Sequence, residues 1–251
     1  YFIIVISLFI VLSTMRLQAA RKRRSQTITL ARYFIVIGGA LFIGYLTSLP
    51  ISKFYYDATA LKKNTLTPGS QEVVKKLDGD LTITTYMNIL DENYGSALPD
   101  QRFEQYVRFK PEIKMKYVYY YAPSVQPSFP GRFDELPIKE RAEKISKIME
   151  LDFDMFHSPE EIDQKIDLKA EGYRFVRVLE RENGQKAILR LYNDMMKHPS
   201  ETEITTAMKR FLVPAPQIAF LTGHGERSVN SSGDRYYYTF ARSIYFRQSL
   251  I

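Results

Sequence analysis

The chain has 251 residues, no cysteine, and 35 basic against 28 acidic side chains, a formal charge of +7. Without cysteine it can hold no disulfide, no thiolate metal site and no cysteine nucleophile. The charge excess lies wholly ahead of residue 57, in Arg16, Arg21, Lys22, Arg23, Arg24, Arg32 and Lys53 with no acidic residue, leaving 28 basic and 28 acidic side chains beyond it. A charge so placed argues for a membrane surface as partner and against nucleic acid.

Residues 1–15, "YFIIVISLFIVLSTM", are continuously apolar and read as the end of a membrane-spanning helix. Residues 31–50, "ARYFIVIGGALFIGYLTSLP", read as a second span, since about 20 apolar residues cross a ~30 Å hydrocarbon core. Between them, the basic stretch 16–30 carries Arg16, Arg21, Lys22, Arg23 and Arg24. Such clusters stay on the cytoplasmic side, held there by anionic lipid, so the second span is expected to run outward and residues beyond about 51 to face the periplasm. A signal peptide fits poorly, because the basic cluster follows the first apolar segment. Tyr33, Tyr45, Tyr55 and Tyr56 fall near the ends of the second span, where amphipathic rings settle.

Residues 51–80 read as a linker and a short helix, with Thr67 as N-cap, Pro68 at its first position and Asp78-Gly79 as its stop. "LTITTYMNI" (81–89) reads as a strand and residues 98–109 as a helix ended by Pro111. "EIKMKYVYYYA" reads as a strand whose aromatic second half suits burial on both faces. Residues 122–137, with Pro123, Pro127, Pro130 and Pro137, are a loop. Residues 138–149 form an amphipathic helix, "LDFDMF" alternates as a half-buried strand does, and Ser158-Pro159 opens another helix running to about Ala170. Two alternating strands flank Asn183-Gly184, a pair suited to a type I′ hairpin turn. Ser200 caps a helix to about Leu212, "IAFLTG" reads as a new strand, and residues 236–251 as a helix.

The fold class is therefore α/β: two N-terminal transmembrane helices, then over residues 81–213 a strand-helix-strand-helix-hairpin-helix order that matches a thioredoxin-like sandwich without Cys-x-x-Cys. Residues 214–251 read as the beginning of a second α/β domain. No Gly-x-x-x-x-Gly-Lys-Ser/Thr loop is present, so the chain is not itself an ATPase, and three scattered histidines give no metal site. The conspicuous candidate site is Gly223, His224, Gly225 and Glu226, at the carboxyl end of the last apolar run, where α/β folds bind ligands. Three readings stay open for it: a turn, a ligand or partner contact, or a general base with its carboxylate. No cofactor is expected.

The segments "YDATALKKNTLTPGSQEVVKKLDGDLTITTYM" and "PQIAFLTGHGERS" together resemble the GldG-like family, periplasm-facing auxiliary subunits of ABC-2 type exporters associated with gliding motility. Asp57, Thr59, Thr65, Leu66, Thr67, Pro68, Ser70, Leu77 and Asp78 carry the first part of the resemblance, and Gly223, His224, Gly225 and Glu226 the second. The exit "TMRLQAARKRR" is similar to the last span of an ABC-2 permease subunit, as if permease end and auxiliary subunit were fused. The resemblance implies a non-catalytic subunit of the inner membrane. Its implied partners are an ABC ATPase, an ABC-2 permease, the lipid bilayer, and an envelope protein or polysaccharide. The loop 122–137 departs from the family pattern. The competing reading is a membrane-tethered envelope hydrolase or transferase acting through His224 and Glu226, and a third is a plain structural scaffold.

Overall fold

The computed structural model describes residues 2–18, 26–49, 55–96, 101–221 and 223–251. They fall into two compact units, Tyr1–Tyr56 and Asp57–Ile251. The first unit holds α1 (Phe2–Gln18) and α2 (Gln26–Ser48). Among the described residues only one helical stretch is long and apolar enough to cross a membrane, Ala31–Ser48, with 18 residues of mean hydropathy 1.4 and outward-facing side chains. In α1 the corresponding apolar stretch is Ile6–Met15, about 15 Å of helix, half of what a hydrocarbon core requires. The expectation of two spans is corrected to one N-terminal apolar helix, of the length and composition that anchors and signal sequences share. The helices also run further into the basic stretch than expected, leaving only residues 19–25 between them.

The second unit is a mixed α/β structure around one four-stranded sheet, ordered β2-β1-β3-β4. β1 (Leu81–Asn88) runs parallel to β2 (Ile113–Tyr120) and antiparallel to β3 (Val176–Arg181), and β3 pairs antiparallel with β4 (Lys186–Arg190). Local chemistry sets the helices between these strands. α3 (Pro68–Lys76) begins where the Thr67 hydroxyl accepts from the Ser70 amide, with Pro68 in the first turn. α4 (Gln101–Phe109) leads into β2, and α5 (Ile138–Ile148) follows the Pro-rich loop. α6 (Pro159–Lys165) and α7 (Glu201–Lys209) each open on a reciprocal capping box, Ser158 with Glu161 and Ser200 with Glu203; each box satisfies two amides that the first helical turn leaves free.

On one face of the sheet, Leu81, Ile83, Leu179 and Leu189 meet α3, α4 and α7 through Val74, Phe103, Ile204 and Met208. On the other, Tyr120 and Val176 meet Ile162 and Leu168 around α6. β1 thus has a strand on either side and packing on both faces.

Several local expectations give way to tertiary context. β2 is an edge strand: Lys114, Lys116 and Tyr117 are exposed, so its aromatic half is not buried on both faces. Asp152 and Asp154 lie in no strand; the Asp152 carboxylate accepts from the Asp154 amide and starts a 3-10 turn, Phe153–Met155. The hairpin turns through three residues, 182–184, with the Gly184 amide donating to the Arg181 carbonyl and Gly184 at φ 82°, while Asn183 keeps a negative φ. A type I turn followed by a left-handed glycine replaces the type I′ turn. Residues 218–221 form no strand, and the helix expected over 236–251 shortens to α8 (Tyr238–Arg242).

Ile83 is fully buried between β1 and the helices. Ile83→Ala is expected to cost about 2–5 kcal/mol and Ser158→Ala about 1 kcal/mol. Urea denaturation of the two variants measures both, and equal losses would contradict the placement of the core.

Candidate functional site

Gly223, His224 and Gly225 take successive positive φ values of 122°, 42° and 88°, and the Glu226 amide donates to the Gly223 carbonyl at 2.9 Å. A Cβ on either glycine would meet nothing, so backbone conformation rather than crowding calls for glycine at these two positions. His224 holds a left-handed conformation that disfavours side chains with a Cβ. All four residues are exposed. With no strand leading in, the position at a strand's carboxyl end that made this turn resemble a ligand site is not realised.

The turn borders an open hollow of about 610 Å³ lined by Phe220, Leu221, Gly225, Glu226, Tyr237 and Phe240, among others. Tyr237 organises it: its ring lies 5.6 Å from that of Phe220 and 5.8 Å from the Arg227 guanidinium, and its amide donates to the Ser228 carbonyl. His224 does not line the hollow. Glu226 therefore stands with the aromatic rings around the hollow. The hollow is thus bounded by aromatic rings, the Glu226 side chain and Arg227. Among the described residues no group of three His, Asp or Glu side chains could hold a metal ion.

The other expected site residues serve different ends. Arg16 falls within α1, whereas Arg21, Lys22, Arg23 and Arg24 lie outside the described residues. Asp57 accepts from the Thr59 hydroxyl (2.7 Å) and amide (2.9 Å), the Asn64 amide (2.9 Å) and the Thr65 hydroxyl (3.0 Å). Those donors, the Thr59 hydroxyl foremost, hold its carboxyl far below the usual carboxylate range, and the loop 57–65 closes on itself.

Thr67 and Ser70 belong to a larger joint. The Thr67 amide and hydroxyl both donate to Glu201 on α7, at 2.9 and 2.8 Å. The Tyr106 hydroxyl on α4 bonds to the Glu201 carbonyl and to Thr205, whose hydroxyl donates to Ser70. Burial pushes the Tyr106 phenol up to about 12, so it stays a neutral donor here. The first part of the sequence motif is thus scaffold: it ties α3, α4 and α7 together.

Sequence reading missed the charged clasps that hold the last residues. The Glu171 carboxylate, almost fully buried, receives a two-pronged bond from Arg190 at 2.7 Å on each oxygen. Neighbouring Arg174 donates to the Ile244 carbonyl at 3.1 Å and lies 4.7 Å from the Tyr245 ring. Arg247 grips Asp194 at 2.6 and 2.9 Å and Glu203 at 2.7 Å, over the face of Tyr192. Because Glu203 also accepts from the Ser200 amide, the clasp joins residues 243–251 to the start of α7. Chain-distant ion pairs such as these leave no periodic signal. The one local hint was Arg247 following the aromatic pair Tyr245-Phe246.

Among buried carboxylates, Asp91 stands apart. It is 1 % exposed and accepts from the Ser124 hydroxyl at 2.7 Å and the Asn93 amide at 2.8 Å. Burial pushes its carboxyl up, against the pull of those two bonds and of Arg174. A raised carboxyl in a cleft can mark catalysis, but each oxygen here already holds a neighbour and the group acts as a catch. No family model, curated protein or solved structure matches the chain.

Because its pKa in the folded state lies above the unfolded value, the folded chain binds more protons between the two, and Asp91 lowers stability as pH rises through that window. Asp91→Asn is expected to be at least as stable as the parent at pH 7. The parent should then gain relative to the variant as pH falls toward about 4. Urea denaturation across pH checks this; a variant less stable by a constant margin at every pH would contradict it.

Proposed function

We propose that the chain is a non-catalytic, membrane-anchored auxiliary subunit of an ABC-type exporter, with its α/β unit on the periplasmic side of the inner membrane. The observation that carries this reading is the apolar helix Ala31–Ser48, preceded in sequence by the cluster Arg21–Arg24 and followed from Asp57 by a compact unit of balanced charge. Basic residues on the amino-terminal flank of a single span favour a cytoplasmic start and an outward course. The motif residues shared with GldG-like subunits support the assignment, because Asp57, Thr59, Thr65, Thr67 and Ser70 fall at the joints that define the fold.

The order β2-β1-β3-β4, with β1 and β2 parallel and β3 and β4 antiparallel to their neighbours, supports a thioredoxin-like class. Lacking cysteine, a fold of that class here serves recognition and not thiol exchange. Energy comes from a separate nucleotide-hydrolysing subunit, because the chain has no phosphate-binding loop. The contact surface in this reading is the turn 223–226 with the adjoining aromatic side chains Phe220, Tyr237 and Phe240, and its partner is a permease or envelope component.

A chain without cysteine allows a clean test of sidedness. Met195 is fully exposed, so in Met195→Cys a membrane-impermeant maleimide is expected to label intact spheroplasts, while Ser25→Cys reacts only after permeabilisation. Labelling of residue 195 only after permeabilisation would overturn the periplasmic placement. Detergent extracts of the same membranes should yield the chain together with an ATP-hydrolysing subunit.

A further inference from the structure

The Pro-rich segment 122–137, a loop by sequence, is fastened through residues 122–128 to the end of β1 and the residues that follow it. Asn88, fully buried at the last position of β1, donates to the carbonyls of Ala122 (2.8 Å) and Tyr173 (2.9 Å) and accepts from the amides of Leu90 (3.0 Å) and Ala122 (3.2 Å). Further on, Asp91 and Pro127 form an antiparallel bridge, the Glu92 amide donates to the Gln126 carbonyl, and the Ser128 amide donates to the Leu90 carbonyl. The Ser124 hydroxyl reaches the Asp91 carboxylate and the Ser128 hydroxyl the Ile89 carbonyl. Near the far end, Arg141 on α5 pairs with Asp134 at 2.9 Å.

A second contact comes from the opposite side. The Val125 amide donates to the Gly172 carbonyl at 3.1 Å. A Cβ on Gly172 would stand 2.6 and 2.8 Å from the two methyl groups of Val125, and Gly172 also holds φ 62°. Only glycine satisfies both the conformation and the close approach. Beneath the segment lie Ile89, Leu90, Tyr121, Ile145 and Phe156, with Phe133 of the segment packed on them.

The carboxyl ends of neighbouring parallel strands are where open α/β sheets receive ligands. Here that place is taken by the chain's own backbone. We propose that residues 122–137 are a built-in lid over the carboxyl ends of β1 and β2, seated on Gly172 and caught by Asp91 and Ser124. The lid opens as a unit ahead of the sheet, and any ligand of that end must displace it. This holds independently of the exporter assignment, since it concerns only the α/β unit.

Hydrogen exchange of the full chain in detergent tests it. In the parent the amides of Glu92, Val125 and Ser128 should be protected. In Gly172→Ala they should exchange at least about tenfold faster while the β1 and β3 amides keep their rates, as local opening requires. Adding Val125→Ala to Gly172→Ala removes the two closest contacts, leaving the Val125 Cβ at 3.2 Å, and should restore part of the protection. Unprotected lid amides in the parent, or lid and sheet accelerating together in the variant, would overturn the proposal. If Gly172→Ala does not fold, Ser124→Ala removes the catch alone and is judged by the same two outcomes.

Discussion

The position of β1 governs the rest of the molecule. It is hydrogen-bonded to β2 and β3 along its two edges, and its side chains enter apolar clusters on both faces. A strand so enclosed gains by pairing its polar groups internally, because an unpaired buried donor or acceptor costs about 1–3 kcal/mol; the buried Thr85 hydroxyl is left without a partner among the described residues. Asn88 provides such pairing at its carboxyl end by making four bonds to the backbone. Those bonds fix where the chain leaves β1, where it leaves β2, and where the turn at Tyr173 lies, so one amide sets three connections.

The joint at the amino-terminal ends of the helices follows a similar logic at lower burial. Thr67 caps α3 and at the same time donates to Glu201 in the first turn of α7. Capping is a local device; shared with a residue 134 positions away, it becomes a tertiary bond. Residues 57–70 thus have a physical reading of their own. Asp57, Thr59 and Thr65 close a loop, and Thr67, Ser70 and Tyr106 hold three helices in register.

What was legible in the sequence was local. Thr67-Pro68, Ser158 with Glu161, and Ser200 with Glu203 announce helix starts because the capping chemistry lies within four residues. The β-branched runs of β1, β3 and β4 announce strands, and Asn183-Gly184 a hairpin, although its turn type depended on loop length and not on residue identity. What depended on distant partners was not legible. Aromatic content in β2 suggested an interior strand, yet β2 lies at the edge of the sheet, and the lysines there suit an edge. The apolar run 218–221 reads as a strand, but β structure needs a neighbour, and among the described residues no strand pairs with it. At the candidate site the turn itself was legible from its glycines. The aromatic wall of Phe220, Tyr237 and Phe240 was not, nor was the Arg247 clasp, since both depend on how residues 227–251 fold back.

These features separate the packed scaffold from the exposed turn 223–226. The exposed turn 223–226 adjoins aromatic rings and a guanidinium, groups suited to holding a protein or a sugar. The central claim, contact and not catalysis, is tested most directly by ATP-driven export in membranes carrying His224→Ala with Glu226→Ala, measured against rising amounts of the variant chain. A contact role predicts that export falls at limiting subunit and recovers as the variant is raised to saturation. Export that stays abolished when the variant fully occupies the complex would contradict it.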